Sequence, residues 1–319
     1  MVKELEYWLV KIQDTFGTPN DDLDETDYFP ALPDSNMEVI PAFTDIETVS
    51  AIFDQDIAVR GFVNVNADLS CYMRSLGYAA EPDYGKLAKA AGFEVDLTDG
   101  IYTYTQILAP TTKSTDDISV WHSGGGIGAS ASILRKAGNI VGDWKISGEV
   151  GKPPVFSLVG AKGVYVSEAA DTSVYASIVK DRSLIPAVLP MTVSINSVVY
   201  KVLKFEFTGG CDVQQYIDCA ATYGFGQSEM AKKKTKFSFT CYADAALANP
   251  LTAVLAGAVV EDVSLTWGIT AKKTKLLAEY PLFRDCKTVD SGGLTAWDVT
   301  GDCTQNNFSI IQNSDYVAE

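Results

Sequence analysis

A glycine-rich stretch that begins at the only histidine is the first place where the sequence suggests chemistry. It reads His122-Ser123-Gly124-Gly125-Gly126, and loops of this kind supply the oxyanion-hole N–H groups of some esterases. Such enzymes also need a Gly-x-Ser-x-Gly turn and a histidine late in the chain, and this sequence has neither. We therefore interpret the glycines as a hairpin turn between strands predicted at Asp117–His122 and Ala129–Arg135.

A loose dinucleotide fingerprint, Gly126-Ile127-Gly128-Ala129-Ser130-Ala131, overlaps the same stretch. The fingerprint binds a pyrophosphate when a helix follows the glycines within a βαβ unit. Here the following residues alternate like a strand and no βαβ rhythm surrounds them, so the hairpin accounts for these glycines too. We expect no cofactor, no catalytic residues and no enzymatic activity.

Two kinds of metal site can be weighed from the residue types. The segment Asn20–Glu25 carries carboxylates that suit calcium, but it lacks the loop glycine and the flanking helices of an EF-hand. The cysteines form no CxxC pair, and a single histidine cannot complete a Cys/His zinc set. No metal site is predicted.

The six cysteines are spread thinly, at Cys71, Cys211, Cys219, Cys241, Cys286 and Cys303. In a cytoplasm they should be reduced and serve as small buried hydrophobes. In an oxidising medium the pairs closest in sequence, Cys211 with Cys219 and Cys286 with Cys303, are the candidates for disulfides.

Negative charge is concentrated near the N-terminus. The chain has 41 acidic and 25 basic residues and a net charge of −16, which disfavours a general attraction to nucleic-acid phosphates. Between Lys11 and Arg60 there are acids but no base. The same stretch contains Pro19, Pro30, Pro33 and Pro41. Because prolines disrupt helices and favour loops, residues 17–45 are predicted to form an extended acidic arm or loop.

Alternation of apolar and polar residues predicts that the rest of the chain is mainly strands. Every second residue from Val63 to Met73 is apolar, so a long strand over residues 57–74 should bury one face. A helix is predicted at Pro82–Ala91, and a hairpin at Thr192–Phe207 with Asn196-Ser197 as its turn. Further strands are predicted at Ile101–Leu108, Asp143–Glu149, Val155–Val159, Thr235–Tyr242, Val259–Trp267, Lys275–Tyr280 and Phe308–Gln312. Residues 166–190 read as an insertion, and no repeat of fixed period is visible.

Several phrases, taken in order, resemble the tail tube (major tail) proteins of tailed bacteriophages. The opening Leu9–Pro19 is similar to a strand that leads into an extended arm in that family. The segments Asp83–Phe93, Ala137–Gly160 and Ser194–Phe207 follow in the family's order, so the resemblance covers most of the chain. Phe16 stands where the family usually has tyrosine, and Gly124-Gly125-Gly126 replaces an expected Asp-Gly turn.

The resemblance implies a mainly β fold: a tail-tube-type β-sandwich or half-barrel with one flanking α-helix, as a single domain over residues 1–319. Six subunits would form a ring whose inner sheets join into a β-barrel, and rings would stack into a tube that conducts DNA during ejection. The implied partners are further copies of the chain, the tape measure, tail terminator and baseplate or tip proteins, and genomic DNA that passes without specific binding. The protein would be made in the host cytoplasm and reside in the virion tail, without inserting into a membrane.

Three groups of residues are candidates for roles in such a tube. The polar face of the long strand would look into the lumen, with Asn64, Asn66, Asp68 and Ser70. The arm would contact a neighbouring subunit through Asp21, Asp22, Asp24, Glu25 and Asp27. Two basic clusters would receive these carboxylates, with Lys232, Lys233, Lys234, Lys272 and Lys273.

Two other classes of protein stay open. One is a secreted or surface β-sandwich protein, which the lack of a signal-peptide h-region disfavours. The other is a hydrolase or lyase on a β scaffold, whose acid cluster would form only in the folded chain.

Overall fold

Short-period alternation of apolar side chains drives most of this chain into antiparallel strands, as the computed structural model shows. The structure describes residues 6–15, 18–46, 57–74, 80–106, 117–124, 133–171, 191–218, 220, 224–231, 234–244, 249–250, 252, 262–269, 272–303 and 307–312. The strands are β1 (Tyr7–Ile12), β2 (Tyr28–Phe29), β3 (Asn36–Ile46), β4 (Ile57–Tyr72), β5 (Phe93–Thr98), β6 (Ile101–Gln106), β7 (Ile118–Gly124), β8 (Ile133–Glu149), β9 (Val155–Ala170), β10 (Met191–Ile195), β11 (Val198–Thr208), β12 (Asp212–Ile217), β13 (Phe225–Ala231), β14 (Lys236–Tyr242), β15 (Asp262–Ile269), β16 (Lys272–Glu279), β17 (Pro281–Ser291), β18 (Leu294–Cys303) and β19 (Phe308–Gln312). The prediction of a mainly β fold is confirmed.

The strands form two packed layers. In the larger layer, eight strands follow one another in the order β3-β4-β9-β8-β11-β14-β18-β17, each antiparallel to the next. The first half of β8 also pairs with β7, which carries β1 and then β2. The second layer has the order β5-β6-β19-β16-β15-β10 and joins the first where β10 pairs with β11.

Aromatic side chains fill the space between the two layers. Trp144 of β8 is fully buried, stacks on Phe308 of β19 with ring centroids 4.8 Å apart, and meets the edge of Phe93 of β5 at 5.2 Å. Phe207 of β11 contacts Phe308 from another side at 5.2 Å. These rings join strands from distant parts of the sequence, so they hold the two layers together.

The long strand β4 shows the predicted alternation. Val63, Val65, Ala67, Leu69 and Cys71 are buried against the core. The predicted hairpin is also confirmed: β10 and β11 flank Asn196-Ser197, and both turn residues have positive φ, 45° and 68°. Positive φ at both central residues defines the type I′ turn, whose twist matches that of the paired strands.

The predicted helix is present and is shorter than expected. It spans Gly85–Ala90 (α1), and Gly92 follows it with a φ of 75°, the left-handed conformation that ends many helices. Leu87 and Ala88 are buried, and the hydroxyl of Tyr84, just before the helix, donates to Gln312 Oε1 of β19 at 2.8 Å. The helix therefore lies against the second layer as well as the first.

The prediction that residues 17–45 form an unpacked arm is wrong for the part of it that the structure describes. Leu23, Phe29 and Met37 are buried in the chain's own core, and β3 pairs with β4 along its length. Single apolar residues among the acids thus anchor the segment. Pro41 stands beside a register shift between Pro41 and Phe43, on a strand that pairs with β4 alone among the described strands. Proline is tolerated at such bulges and on edge strands.

Other element boundaries differ from the predictions. The last three residues of the strand predicted at Ala129–Arg135 and the strand predicted at Asp143–Glu149 are parts of one strand, β8, whose register shifts at several points. Residues 129–132 lie outside the described residues. Strand β9 continues to Ala170, so the predicted insertion at 166–190 begins with a strand, and residues 172–190 lie outside the described residues. Strands β5, β12, β13, β17 and β18 were not predicted.

The larger layer contains two four-stranded units with the same connectivity, although the sequence shows no repeat of fixed period. The first unit has the spatial order β3-β4-β9-β8, and the second has β11-β14-β18-β17. In each unit a hairpin of the second layer, β5–β6 or β15–β16, lies between the second and third strands along the chain. The strand order of the second layer does not repeat in this way. The later strand of each hairpin, β6 in one and β16 in the other, pairs with β19.

The two units match residue by residue where their inner strands pair. Cys71 of β4 lies opposite Phe156 of β9, and Cys241 of β14 lies opposite Trp297 of β18. At the preceding residue of β4 and of β14, a hydroxyl donates a hydrogen bond to the neighbouring strand. Ser70 Oγ donates to Ser157 Oγ at 2.9 Å, and Thr240 Oγ1 donates to Asp298 Oδ1 at 2.8 Å. The last strand in the spatial order of each unit also matches: Lys145 of β8 lies opposite Ser157, and Lys287 of β17 lies opposite Asp298.

Replacing Trp144 should be among the most destabilising single changes. We expect Trp144→Ala to lower the free energy of unfolding by about 3–5 kcal/mol, because it leaves a cavity between the layers. Urea unfolding followed by circular dichroism measures this. Leu97→Ala is the control, since Leu97 is 49% exposed, and it should change stability by less than about 0.5 kcal/mol. Equal effects of the two variants would contradict a core that depends on Trp144.

Candidate functional site

The face of the larger layer that points away from the core, here called the outer face, holds most of the lumen candidates. On β4, Asn66 and Asp68 are exposed and Asn64 is half-buried. Ser70 is only 5% exposed, because it bonds to Ser157 and lies under the chain around Ser35, whose Oγ accepts from the Ser70 amide at 3.0 Å. Ser70 is therefore closed to solvent in this chain, and the accessible polar face of β4 consists of the other three residues.

A small hairpin covers part of the outer face. Strands β12 and β13 pair only with each other among the described strands and lie over β8 and β9. Lys162 Nζ donates to the Val213 carbonyl at 3.0 Å, and Gln215 Nε2 donates to the Gly163 carbonyl at 2.9 Å. A small apolar contact of Val141, Val213 and Met230 lies between the hairpin and the sheet. The hairpin narrows the open part of this face beside β4.

Beyond β4, the outer face carries both signs of charge. Lys145 Nζ lies 2.7 Å from Glu206 Oε2, and Lys287 Nζ lies 2.6 Å from Asp285 Oδ2. Hydrogen bonding to the partner raises the pKa of Lys287 and lowers the pKa of Asp285. The sparsity of basic residues seen on β4 does not extend to these strands, but each of these lysines has a carboxylate beside it.

A groove of about 450 Å³ runs along the outer face between β11, β14, β17 and β18. Its charged lining residues are Glu206, Lys234, Lys236, Arg284 and Asp302. Arg284 lies 2.7 Å from Asp302, and Lys234 lies 3.9 Å from the same carboxylate. Of the five predicted basic partners, Lys234 is thus the one that the structure places on this face.

The other predicted basic partners lie elsewhere or outside the described residues. Lys272 and Lys273 belong to β16 in the second layer, where Lys273 is half-buried. Lys232 and Lys233 lie outside the described residues. The two basic clusters therefore do not form one surface.

Three of the five predicted contact acids have partners within the chain. Asp22 lies 3.1 Å from Lys11, and Asp27 lies 3.7 Å from Lys86. Asp24 caps the short 3₁₀ turn at Glu25–Asp27, accepting from the Thr26 amide at 2.8 Å. Asp21 and Glu25 are exposed. These contacts supplement the burial of Leu23, Phe29 and Met37, which anchors the segment to its own chain.

The described part of the glycine-rich stretch, His122–Gly124, is the end of β7, and its polar side chains point in two directions. The turn predicted at the following glycines lies outside the described residues. His122 stacks on Trp8 with ring centroids 3.9 Å apart, and its Nε2 lies 3.0 Å from Glu6 Oε1. Burial lowers the pKa of His122, and the hydrogen bond to Glu6 opposes this effect. On the opposite face, Ser123 Oγ donates to Asp171 Oδ2. Neighbouring residues of a strand face opposite ways, so His122 cannot activate Ser123, and both side chains instead hold β7 to its neighbours.

Among the described residues, no three His, Cys, Asp or Glu side chains lie close enough together to hold a metal ion. No helix in the part of the chain that the structure describes is long and apolar enough to cross a membrane.

The two ends of the larger layer are the least expected feature of the surface. Among the described strands, β3 pairs with β4 alone and β17 pairs with β18 alone. The sequence carried a signal for β17 and β18: Gly292-Gly293, with φ of 64° and 82°, joins two strand-like runs. An unpaired edge presents a row of backbone N–H and C=O groups that can pair with another chain.

No protein-family model matches this sequence, and a search of the curated proteins finds no significant match.

The cysteines are thiols, and the predicted disulfide between Cys286 and Cys303 cannot form within this chain. All described cysteines, which exclude Cys219, are thiols. Cys286 lies opposite Val299 and Cys303 opposite Pro281, which separates the two thiols by about 14 Å along adjacent strands, beyond the ~7 Å limit between bridged Cα atoms.

Alkylation should distinguish buried from accessible thiols. Burial raises the pKa of Cys241 and of Cys303 to about 12, and it raises the pKa of the fully buried Cys71. At pH 8 the reactive thiolate of Cys241 and Cys303 is then about one part in ten thousand. We expect iodoacetamide to leave Cys71, Cys241 and Cys303 unmodified in the native protein and to modify them in urea, as read by peptide mass mapping. Rapid native labelling of these three would contradict their burial.

Proposed function

We propose that this protein is the structural subunit of a bacteriophage tail tube, in which copies join their larger layers around a lumen and the resulting rings stack. The observation that supports this most is the eight-stranded layer. It has an apolar face on its own core, a polar face with paired charges, and two edges that have no further partner among the described strands. A sheet of this kind is suited to lining a water-filled channel once its edges are paired.

The composition of the outer face supports passage of DNA without binding. A polyanion is retained where unpaired lysines displace its counterions. On β4 the polar residues of the outer face are neutral or acidic: Asn66 and Asp68 are exposed, and Asn64 is half-buried. On the strands beyond, Lys145, Lys287 and Arg284 are close to carboxylates, which largely offsets their attraction for phosphate. Lys204 and Lys236 are exposed there and are the residues of this face most able to attract phosphate.

Negative-stain microscopy of the purified protein tests the proposal directly. Rings of uniform diameter, or stacked rings that form hollow tubes, are expected, and added tail components should promote stacking. A protein that stays monomeric at high concentration, with and without those components, would overturn the proposal.

Placing positive charge on the polar face of β4 should make tubes retain DNA. We expect tubes of the triple variant Asn64→Lys, Asn66→Lys, Asp68→Lys to bind short double-stranded DNA at low salt and to release it at high salt, because counterion release drives such binding. Co-sedimentation of tubes with labelled DNA at several salt concentrations measures this.

This experiment needs a second β4 variant and a control variant. Asp68 Oδ1 accepts from the Gly160 amide at 2.7 Å, so the double variant Asn64→Lys, Asn66→Lys tests the charge effect with that bond kept. The control Glu94→Lys, Asp96→Lys, Thr98→Lys places three lysines on exposed positions of β5. If the control retains as much DNA as the β4 variants, or the β4 variants retain none, the face of β4 does not line the lumen.

A further inference from the structure

The junction between the two four-stranded units is a strand pairing within one chain. Strand β8, the last in space of the first unit, pairs with β11, the first of the second unit. The paired rows run from Lys145 opposite Thr208 to Glu149 opposite Lys204. On the outer face the junction is reinforced by the ion pair of Lys145 with Glu206 at 2.7 Å.

The two end strands of the layer are equivalent to the two strands that meet at this junction. Strand β3 occupies in the first unit the place that β11 occupies in the second, and β17 occupies the place of β8. Among the described strands each has one neighbour. Strand directions alternate across all eight strands, so a further β3 placed beside β17 would be antiparallel to it, as β11 is to β8.

We propose that β17 of one chain pairs with β3 of a second copy in the register of the β8–β11 junction. This pairing deepens the proposed function, and the number of chains per ring given below rests on that function. Lys287 is the equivalent of Lys145, because they face the equivalent residues Asp298 and Ser157.

The register on the other strand follows from the inner strands of the two units. Asp68 of β4 and Ser238 of β14 are equivalent, since each lies three residues before the matched cysteine. They pair with Asn36 of β3 and Glu206 of β11 respectively. Counting two residues on from each, Glu38 is the equivalent of Thr208. The carried-over register therefore places Lys287 opposite Glu38 of the second copy.

The charges and exposure of the two residues fit this contact. Glu38 is exposed, and the Lys287 side chain is 71% exposed. Both lie on the outer face, where opposite charges on facing strand positions stabilise pairing and like charges destabilise it. A slip of one residue would place Lys287 opposite Met37, which is buried in the core, so the register is fixed by burial as well as by charge.

The contact cannot form within one chain. Glu38 and Lys287 lie on opposite end strands, seven strand spacings or about 34 Å apart across the sheet. Repetition of the junction from chain to chain closes a ring to which each chain contributes two units. If the tail-tube proposal holds and a ring has six such units, it contains three chains, not the six that the family resemblance implied.

Zero-length cross-linking tests the contact in the unmodified protein. A carbodiimide joins a lysine amine to a carboxylate only in direct contact. Assemblies from a mixture of ¹⁴N- and ¹⁵N-labelled chains should yield a peptide that links Lys287 to Glu38, with half of the cross-links between differently labelled chains if the label is mixed equally. Native mass spectrometry of the rings gives the number of chains.

Charge reversal tests the energetics. Lys287→Glu and Glu38→Lys should each weaken ring formation about tenfold, and the double variant should restore it to within about threefold, because the pair is re-formed with reversed sign. The matched controls are Lys152→Glu, on the exposed β8–β9 turn, and Glu94→Lys, on exposed β5, neither of which should change assembly. Urea unfolding confirms that each variant folds.

The outcomes separate this inference from the proposed function. Tubes that form normally in both single variants, without the Lys287–Glu38 cross-link, would overturn the edge pairing and leave the tail-tube proposal intact. Rings of six chains would overturn the copy number. Rings of three chains that carry the cross-link but never stack would support the edge pairing against the tube.

Discussion

The pairing of one strand with two different neighbours along the same side organises this molecule. The first half of β8 pairs with β7 and its last five residues pair with β11, while β9 runs along the other side. Trp144 sits between these halves, with its ring against Phe308 of the second layer. A strand that changes partner must be long, must change register and must be held at the change. The length of β8, its bulges and the buried tryptophan meet these needs.

This arrangement makes the larger layer both continuous and open. A sheet of eight strands whose end strands each have a single neighbour in the described part of the chain carries a risk of indiscriminate association. Here the ends differ in charge: β3 carries Glu38 and Asp45 without a basic residue, whereas β17 carries Arg284 and Lys287 beside Asp285 and Asp290. Pairing of β3 with β3 would bring acids together without a base, whereas pairing of β3 with β17 brings basic residues to the acids of β3. The distribution of charge on the edges therefore favours head-to-tail association, which is the kind that generates rings.

The sequence predicted features that depend on local rules and missed those that depend on distant partners. The alternation from Val63 to Met73, the Asn196-Ser197 turn and the helix near Leu87 were correct because residue type and spacing suffice for them. The acidic segment was misjudged because its anchors, Leu23, Phe29 and Met37, are isolated residues whose burial depends on strands far along the chain. Composition reports the average of such a segment, while its fold depends on these few side chains.

The same limit explains why the internal repeat escaped notice. Equivalent positions keep their direction and their row, but seldom their residue type: Trp144 corresponds to Cys286, and Phe156 to Trp297. What is preserved is the alternation of core and outer positions and the occasional polar match, such as the hydroxyls of Ser70 and Thr240. Two units with so few shared residues can still share an edge geometry, because strand pairing is made by the backbone. The side chains at the edge have only to select the register, and a single facing pair of opposite charge is sufficient for that when a slip would expose a buried row.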